Sequence, residues 1–199
     1  AAPGTYTALL SKQVNGEITQ LSKPVTFVVE PLRKGVLPGN NLQETAAFWK
    51  SYEDASQSFS VIQIATTNAM SKVTAMQKAL RMSSTVPGKL DQQVFQVKHE
   101  LLDLNRKLNG NGAKAQVGEK NNPTIGERLF KVLLSITTST YGPTATNLRS
   151  LEIIHQELTA IHTSLDGEIS KINTLSKELL NAGAPWIESE VLPPLPRNN

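Results

Sequence analysis

Three histidines are the only imidazoles in this chain, so they are tested first for metal or acid–base chemistry. His155 and His162 lie seven residues apart, with Glu157 between them, and so share one face of a helix. A zinc site built on one helix uses two imidazoles four residues apart, with a third ligand nearby. That spacing is not found here. His99-Glu100-Leu101-Leu102-Asp103 has the outline of the metalloprotease HExxH, but Asp103 stands where the second His is needed. The plainer account places these histidines at the edges of apolar seams. Carboxylate pairs fare no better. Glu53 and Asp54 are adjacent and point apart on a helix, while Glu152 and Glu157 fall on an expected solvent face. There is no GxSxG elbow, no Walker loop and no GxGxxG. The glycines of Asn109–Gly112 end a helix and are not followed by Lys-Ser/Thr. The sequence assigns no catalytic residue, no metal ligand and no cofactor-binding residue.

Composition narrows the classes further. The chain has 199 residues, 39% of them hydrophobic and 19% charged, a balance suited to a folded domain. Its formal charge of +3 is mild, and nucleic-acid binders of this size concentrate far more Lys and Arg. Without cysteine there are no disulfides, thiolate nucleophiles or Cys-held metal clusters. No apolar run approaches the roughly 20 residues a membrane span needs. The chain opens directly into a strand pattern and not at a Met, so it is expected to be a piece of a longer protein.

That opening pattern stands apart from the rest. Tyr6, Ala8 and Leu10 alternate with Thr5, Thr7 and Leu9. Asn15-Gly16 is the strongest short hairpin signal, and Val25, Phe27 and Val29 alternate on the return. Pro24 argues for an edge or a break there. Two strands are too few to fold alone. Residues 1–32 therefore read as a β-hairpin left over from an immunoglobulin- or fibronectin-like sandwich, its other strands lying upstream. A plain decorative hairpin on the helices is the alternative.

Residues 33–41 have linker chemistry, with Pro and Gly, and Asn41 with Glu44 resembles a capping box. Residues 42–183 then carry helical periodicity throughout. Phe48, Tyr52, Ala55, Phe59, Ile62, Thr66, Ala69, Val73, Met76 and Leu80 step by four and three, the mark of a bundle helix from about Leu42 to Met82. A second stripe runs from Leu90 through Val94, Val97, Leu101 and Leu104 to Leu108. Asn122-Pro123 reads as a helix start for Ile125, Leu129, Val132 and Ile136, after a polar, mobile loop. Pro143-Thr144 opens a last long stripe, Leu148 to Leu179, that includes Ile169 and ends near Gly183. The two short helices sum to about one long one. The fold class is mainly α: an antiparallel up-down bundle, either three layers with a broken middle helix or four helices, preceded by the hairpin. The aromatics Phe48, Trp49, Tyr52 and Phe59 should pack the hairpin and tail against the bundle. Residues 184–199 are a Pro-rich extended tail, anchored by Trp186, Ile187 and Leu192, with Pro193 and Pro196 forming a weak PxxP match.

Three stretches together resemble one family. "PGTYTALLSKQVNGEITQLSKPVTFVVEPL" is similar to the closing strands after the propeller of bacterial sortilin-like proteins of the VPS10 type with BNR repeats. "PTIGERL" and "YGPTATNLRSLEI" resemble the starts of the last two helices of their C-terminal region. Gly183, Pro185 and Trp186 match their terminal Gly-x-Pro-Trp. The resemblance implies a non-catalytic C-terminal module of a large exported protein, placed in the periplasm, on the cell surface or outside the cell. Its partners would be the upstream sandwich and propeller, with a further protein or a second copy on exposed bundle faces. Such proteins are often described as glycosyl hydrolases, so the alternative is an accessory domain forming one wall of a hydrolase site. The propeller is not in this sequence, and no catalytic residue is carried over.

Overall fold

Asn15 and Gly16 both take positive φ, 51° and 87°, as a two-residue hairpin connection of the I′ type demands. Gly tolerates this freely and Asn better than other side chains. In the computed structural model, which describes residues 3–32, 41–83, 88–119, 122–139 and 141–185, this turn closes one long hairpin. Strands β1 (Gly4–Ala8) and β4 (Val25–Val29) pair at its base, and β2 (Ser11–Val14) and β3 (Glu17–Gln20) at its tip. Between the ladders, Leu9 and Leu10 face the longer stretch Leu21–Pro24, so the return strand bulges. Pro24 has no N–H to give a ladder, as its position in the sequence requires. Leu10 closes the gap. Its carbonyl accepts from the Leu21 N–H at 2.8 Å, and its own N–H donates to Ser22 Oγ at 3.1 Å.

Five helices follow: α1 (Leu42–Met82), α2 (Lys89–Asn109), α3 (Gly112–Gln116), α4 (Ile125–Thr137) and α5 (Ala145–Asn181). Their ends are set by local chemistry. Asn41 Oδ1 accepts from the Gln43 N–H at 2.9 Å, capping α1. Thr124 and Glu127 form a reciprocal capping box at α4. The helix start therefore lies at Thr124, not at Asn122-Pro123. Thr144 caps α5, and Gly183 follows its C-terminus at φ 79°. The stretch expected to be a featureless loop contains α3, begun by Asn111 accepting from the Ala113 and Lys114 N–H groups.

Cross-helix contacts give the direction of every rod. Gln63 reaches Asn109, and Lys98 reaches Gln77, so α2 runs back along the second half of α1. Gly126 sits against Phe59, one turn beyond, so α4 continues in the same direction along the first half. Asn147 meets Ser135, and Arg128 meets Glu157, so α5 turns back along α4. It then runs parallel to α1, with Ser51 touching His155 and Lys72 touching Asn173. Each long helix touches α2, α4 and the other long helix. The bundle is thus up-down-up in three rods, the middle one broken into α2 and α4.

The core is the seam the spacing predicts. Ile62, Val73, Met76, Val94, Leu101, Leu108, Ile154, Ile172 and Leu179 are buried almost completely. Burying one such side chain contributes about 1.5–3 kcal/mol. Thr66, the polar break in the first stripe, is buried with its hydroxyl donating to the Ile62 carbonyl at 2.8 Å. Two positions of α5 depart from the expected stripe. Leu148 is 55% exposed, and Asn147 is buried in its place, its amide donating to Ser135. Glu168, not Ile169, occupies the fully buried position, because the 4-3-4 spacing Ile161, Leu165, Glu168, Ile172 continues the seam. The hairpin touches none of the described helical residues. The aromatics at the start of α1 therefore do not fasten it. Phe48 and Tyr52 fill the bundle core, and Trp49 meets Tyr52 edge-on at 6.1 Å. The anchors Trp186, Ile187 and Leu192 lie outside the described residues, as do Pro193 and Pro196.

Burial predicts a contrast measurable by urea unfolding. Leu101→Ala should cost about 2–5 kcal/mol, whereas Leu148→Ala should stay within about 0.5 kcal/mol of the parent. Gly167 is mid-helix with open space where a Cβ would point, so Gly167→Ala should stabilise by about 0.5–1 kcal/mol.

Candidate functional site

The residues singled out for chemistry fall into separate local contacts. His155 Nε2 lies 3.0 Å from Ser51 Oγ across the α1–α5 seam, both on the outer side of the bundle. His162 is exposed two turns further on. Glu157 reaches the other way, 4.0 Å from Arg128 Nε on α4. The three therefore do not converge. His99 stacks on Phe95, centroids 4.5 Å apart, and Asp103 is taken by Arg106. Asp54 pairs with Lys50 and Glu152 with Arg149, each on its own helix and exposed to water. Among the described residues no three His, Cys, Asp or Glu side chains come close enough to hold one metal ion. Nor is any described helix long and apolar enough to cross a membrane.

Two features do stand out, and each sits where a regular element stops. The first is a groove at the break in the middle rod. Where α2 ends and α4 begins, Ala160, Ile161 and Ser164 of α5 line a hollow. The hollow there measures about 490 Å³, walled by Lys107 of α2 and Thr124 and Ile125 of α4. Beyond it, between α2 and α5, lies a second hollow of about 350 Å³ that shares Arg106, Lys107 and Ser164 with the first. Glu168 lines its inner wall at only 7% exposure. Lys171 Nζ holds Glu168 Oε1 at 2.7 Å, while Oε2 is buried with no hydrogen-bond partner among the described residues. The seam spacing itself is the signal that could have found Glu168, since a carboxylate there interrupts an otherwise apolar heptad run.

The second feature is the base of the hairpin. Its registered pairs put Tyr6, Ala8, Val25, Phe27 and Val29 on one face, with Tyr6 stacked on Phe27 at 6.0 Å. Thr5, Thr7, Thr26 and Val28 make the other. This is the one-sided pattern of a sheet with a covered face and a wet face. Val25 is nevertheless 62% exposed and Phe27 47%. Neither strand of this ladder contains a charged residue or a proline, the usual guards of an open sheet edge.

No family model, curated protein or solved structure matches this chain.

Tyr52 is a titratable group whose surroundings change its chemistry. Burial in the α1 core pushes its phenol above the ordinary value of 10.0, because the charged form loses its hydration. The unfolded chain ionises first, so this contribution is intact below pH 10 and is lost as pH rises through the folded value. Ultraviolet titration should show a tyrosine phase displaced to higher pH than the ordinary value of 10.0, and Tyr52→Phe should remove that phase.

Proposed function

We propose that this chain is a non-catalytic structural and interaction module of a larger exported protein, joined to it through the hairpin. In this reading the base ladder continues a β-sandwich, and the three-rod bundle projects from that sandwich as a stiff arm about 60 Å long. One observation carries the proposal: a ladder without charge or proline whose apolar face no described helix approaches. Neighbouring exposed apolar side chains such as Val25 and Phe27 are the mark of a contact surface, and two strands alone are marginal in water. His99 and His155 each meet an ordinary neighbour, Asp54, Asp103, Glu152 and Glu157 sit in ordinary ion pairs, and His162 stands apart from them, an arrangement that supports a role without chemistry. The resemblance of the opening strands and of Gly183, Pro185 and Trp186 to the end of sortilin-like proteins supports the choice of a propeller and sandwich as the parent, and of an extracytoplasmic location.

Hydrogen–deuterium exchange tests this reading. In the isolated chain, amides of β1 and β4 should exchange close to the unstructured rate while those of α1, α2 and α5 are protected. In the longer protein that contains the chain, β1 and β4 should become as slow as the helices. Equal, fast exchange in both would remove the proposed attachment. The isolated chain should also release no sugar from glycan substrates.

A further inference from the structure

The dipeptide Asn-Gly occurs three times, at Asn15, Asn109 and Asn111, and the structure treats the three differently. Asn109 closes α2 with its reacting atoms engaged. Its Oδ1 accepts from Gln63 Nε2 at 2.7 Å, and its Nδ2 donates to Asn105 Oδ1 at 2.8 Å. The Gly110 N–H donates to the Arg106 carbonyl at 2.8 Å. Asn111 Oδ1 accepts from the Ala113 and Lys114 N–H groups, so that carboxamide is held as the cap of α3. Asn15 is the exception. It sits exposed at the hairpin tip, and none of the described residues hydrogen-bonds its carboxamide. Gly16 has nothing within 4 Å of where a Cβ would lie, so the turn is open on its outer side.

We propose that Asn15 is a site of spontaneous deamidation, and that hydrogen bonding reserves this reaction for one Asn-Gly pair of the folded chain. Hydroxide removes the Gly16 amide proton, and that nitrogen attacks Asn15 Cγ. The new C–N bond closes a succinimide ring, the Cγ–Nδ2 bond breaks, and Nδ2 leaves as ammonia with a proton taken from water. Water then opens the ring at either carbonyl, yielding aspartate or isoaspartate. Glycine favours the attack because it places no side chain beside the nitrogen. The closed turn holds both residues at positive φ, so the ring forms when the tip opens. Opening is cheap there. The tip ladder runs only from Ser11↔Gln20 to Val14↔Glu17, all exposed, and two strands alone are marginal in water. At Asn109 the same step has to wait for the end of a core helix to open.

The two products differ in consequence. Aspartate tolerates the left-handed turn and adds one negative charge near Glu17. Isoaspartate routes the backbone through the former side chain, and the extra methylene does not fit a two-residue I′ connection. The tip ladder is then lost, while the bundle, which the hairpin does not touch among the described residues, keeps its packing.

The test is incubation of the folded chain at mildly alkaline pH, with peptide mass mapping of Asn-to-Asp conversion and enzymatic methylation of isoaspartate. The same chain in concentrated urea gives the unfolded rate at each site. Asn15 should convert within about ten-fold of its unfolded rate. Asn109 should fall about 100-fold or more below its own, with Asn111 between. Asn15→Gly, which leaves a turn-compatible Gly-Gly pair, should abolish the early isoaspartate. In the aged protein the amide signals of β2 and β3 should shift and those of α1, α2 and α5 should stay. The proposal is overturned if Asn109 or Asn111 converts as fast as Asn15 in the folded chain, if Asn15 is slowed as much as Asn109, or if Asn15→Gly leaves the early isoaspartate in place.

Discussion

Two long parallel helices cannot bury their apolar stripes against each other alone. Each stripe is wider than one neighbour can cover, and α1 and α5 carry theirs for 41 and 37 residues. A third rod of equal length must lie in the trough between them. That constraint organises the rest of the chain. The 21 residues of α2 and the 13 of α4 are each too short to do this, and they do it in series. The break between them has local causes: Gly110 at positive φ ends α2, and the Thr124–Glu127 capping box starts α4 afresh. The groove beneath the break is the direct cost of building one rod from two.

The bundle was largely legible in the sequence because its stabilisation is periodic. The bounds of α1 followed from the stripe between Asn41 and the polar turn after Met82. The stripes of α2 and α4 are buried at almost every position named. The misreadings have specific physical origins. Apolar identity points to Ile169 as the inward residue, yet continuity of the seam places Glu168 there and outweighs the identity of one side chain. Leu148 sits in the first turn of α5, where Asn147 can satisfy its amide on Ser135 and so turns inward instead. The short helix α3 depends on one Asn cap, a signal too brief to separate from a turn. Whether the middle rod was broken or the bundle had four members depended on direction across the 110–122 connection, which periodicity does not encode.

The hairpin and the bundle follow opposite rules. In the bundle, apolar spacing finds its partners within the chain, and charges remain outside in local pairs such as Lys50–Asp54 and Arg149–Glu152, each of small energetic weight. In the hairpin, equally regular alternation packs against no described helix. The tip ladder carries Lys12 and Glu17, and the base ladder carries no charge. Charge is thus graded along the hairpin, present at the tip and absent at the base.

The central claim is the end-to-end order of α2 and α4 in one rod. The chain has no cysteine of its own, so paired spin labels can be placed without background. Gln92→Cys near the start of α2 and Leu134→Cys near the end of α4 are both at exposed positions. Pulsed electron resonance should give a single separation of roughly 45 Å, from the run of α1 each rod segment lies beside. A separation of roughly 30 Å or less, expected if the two short helices lay side by side as members of a four-helix bundle, would contradict the account.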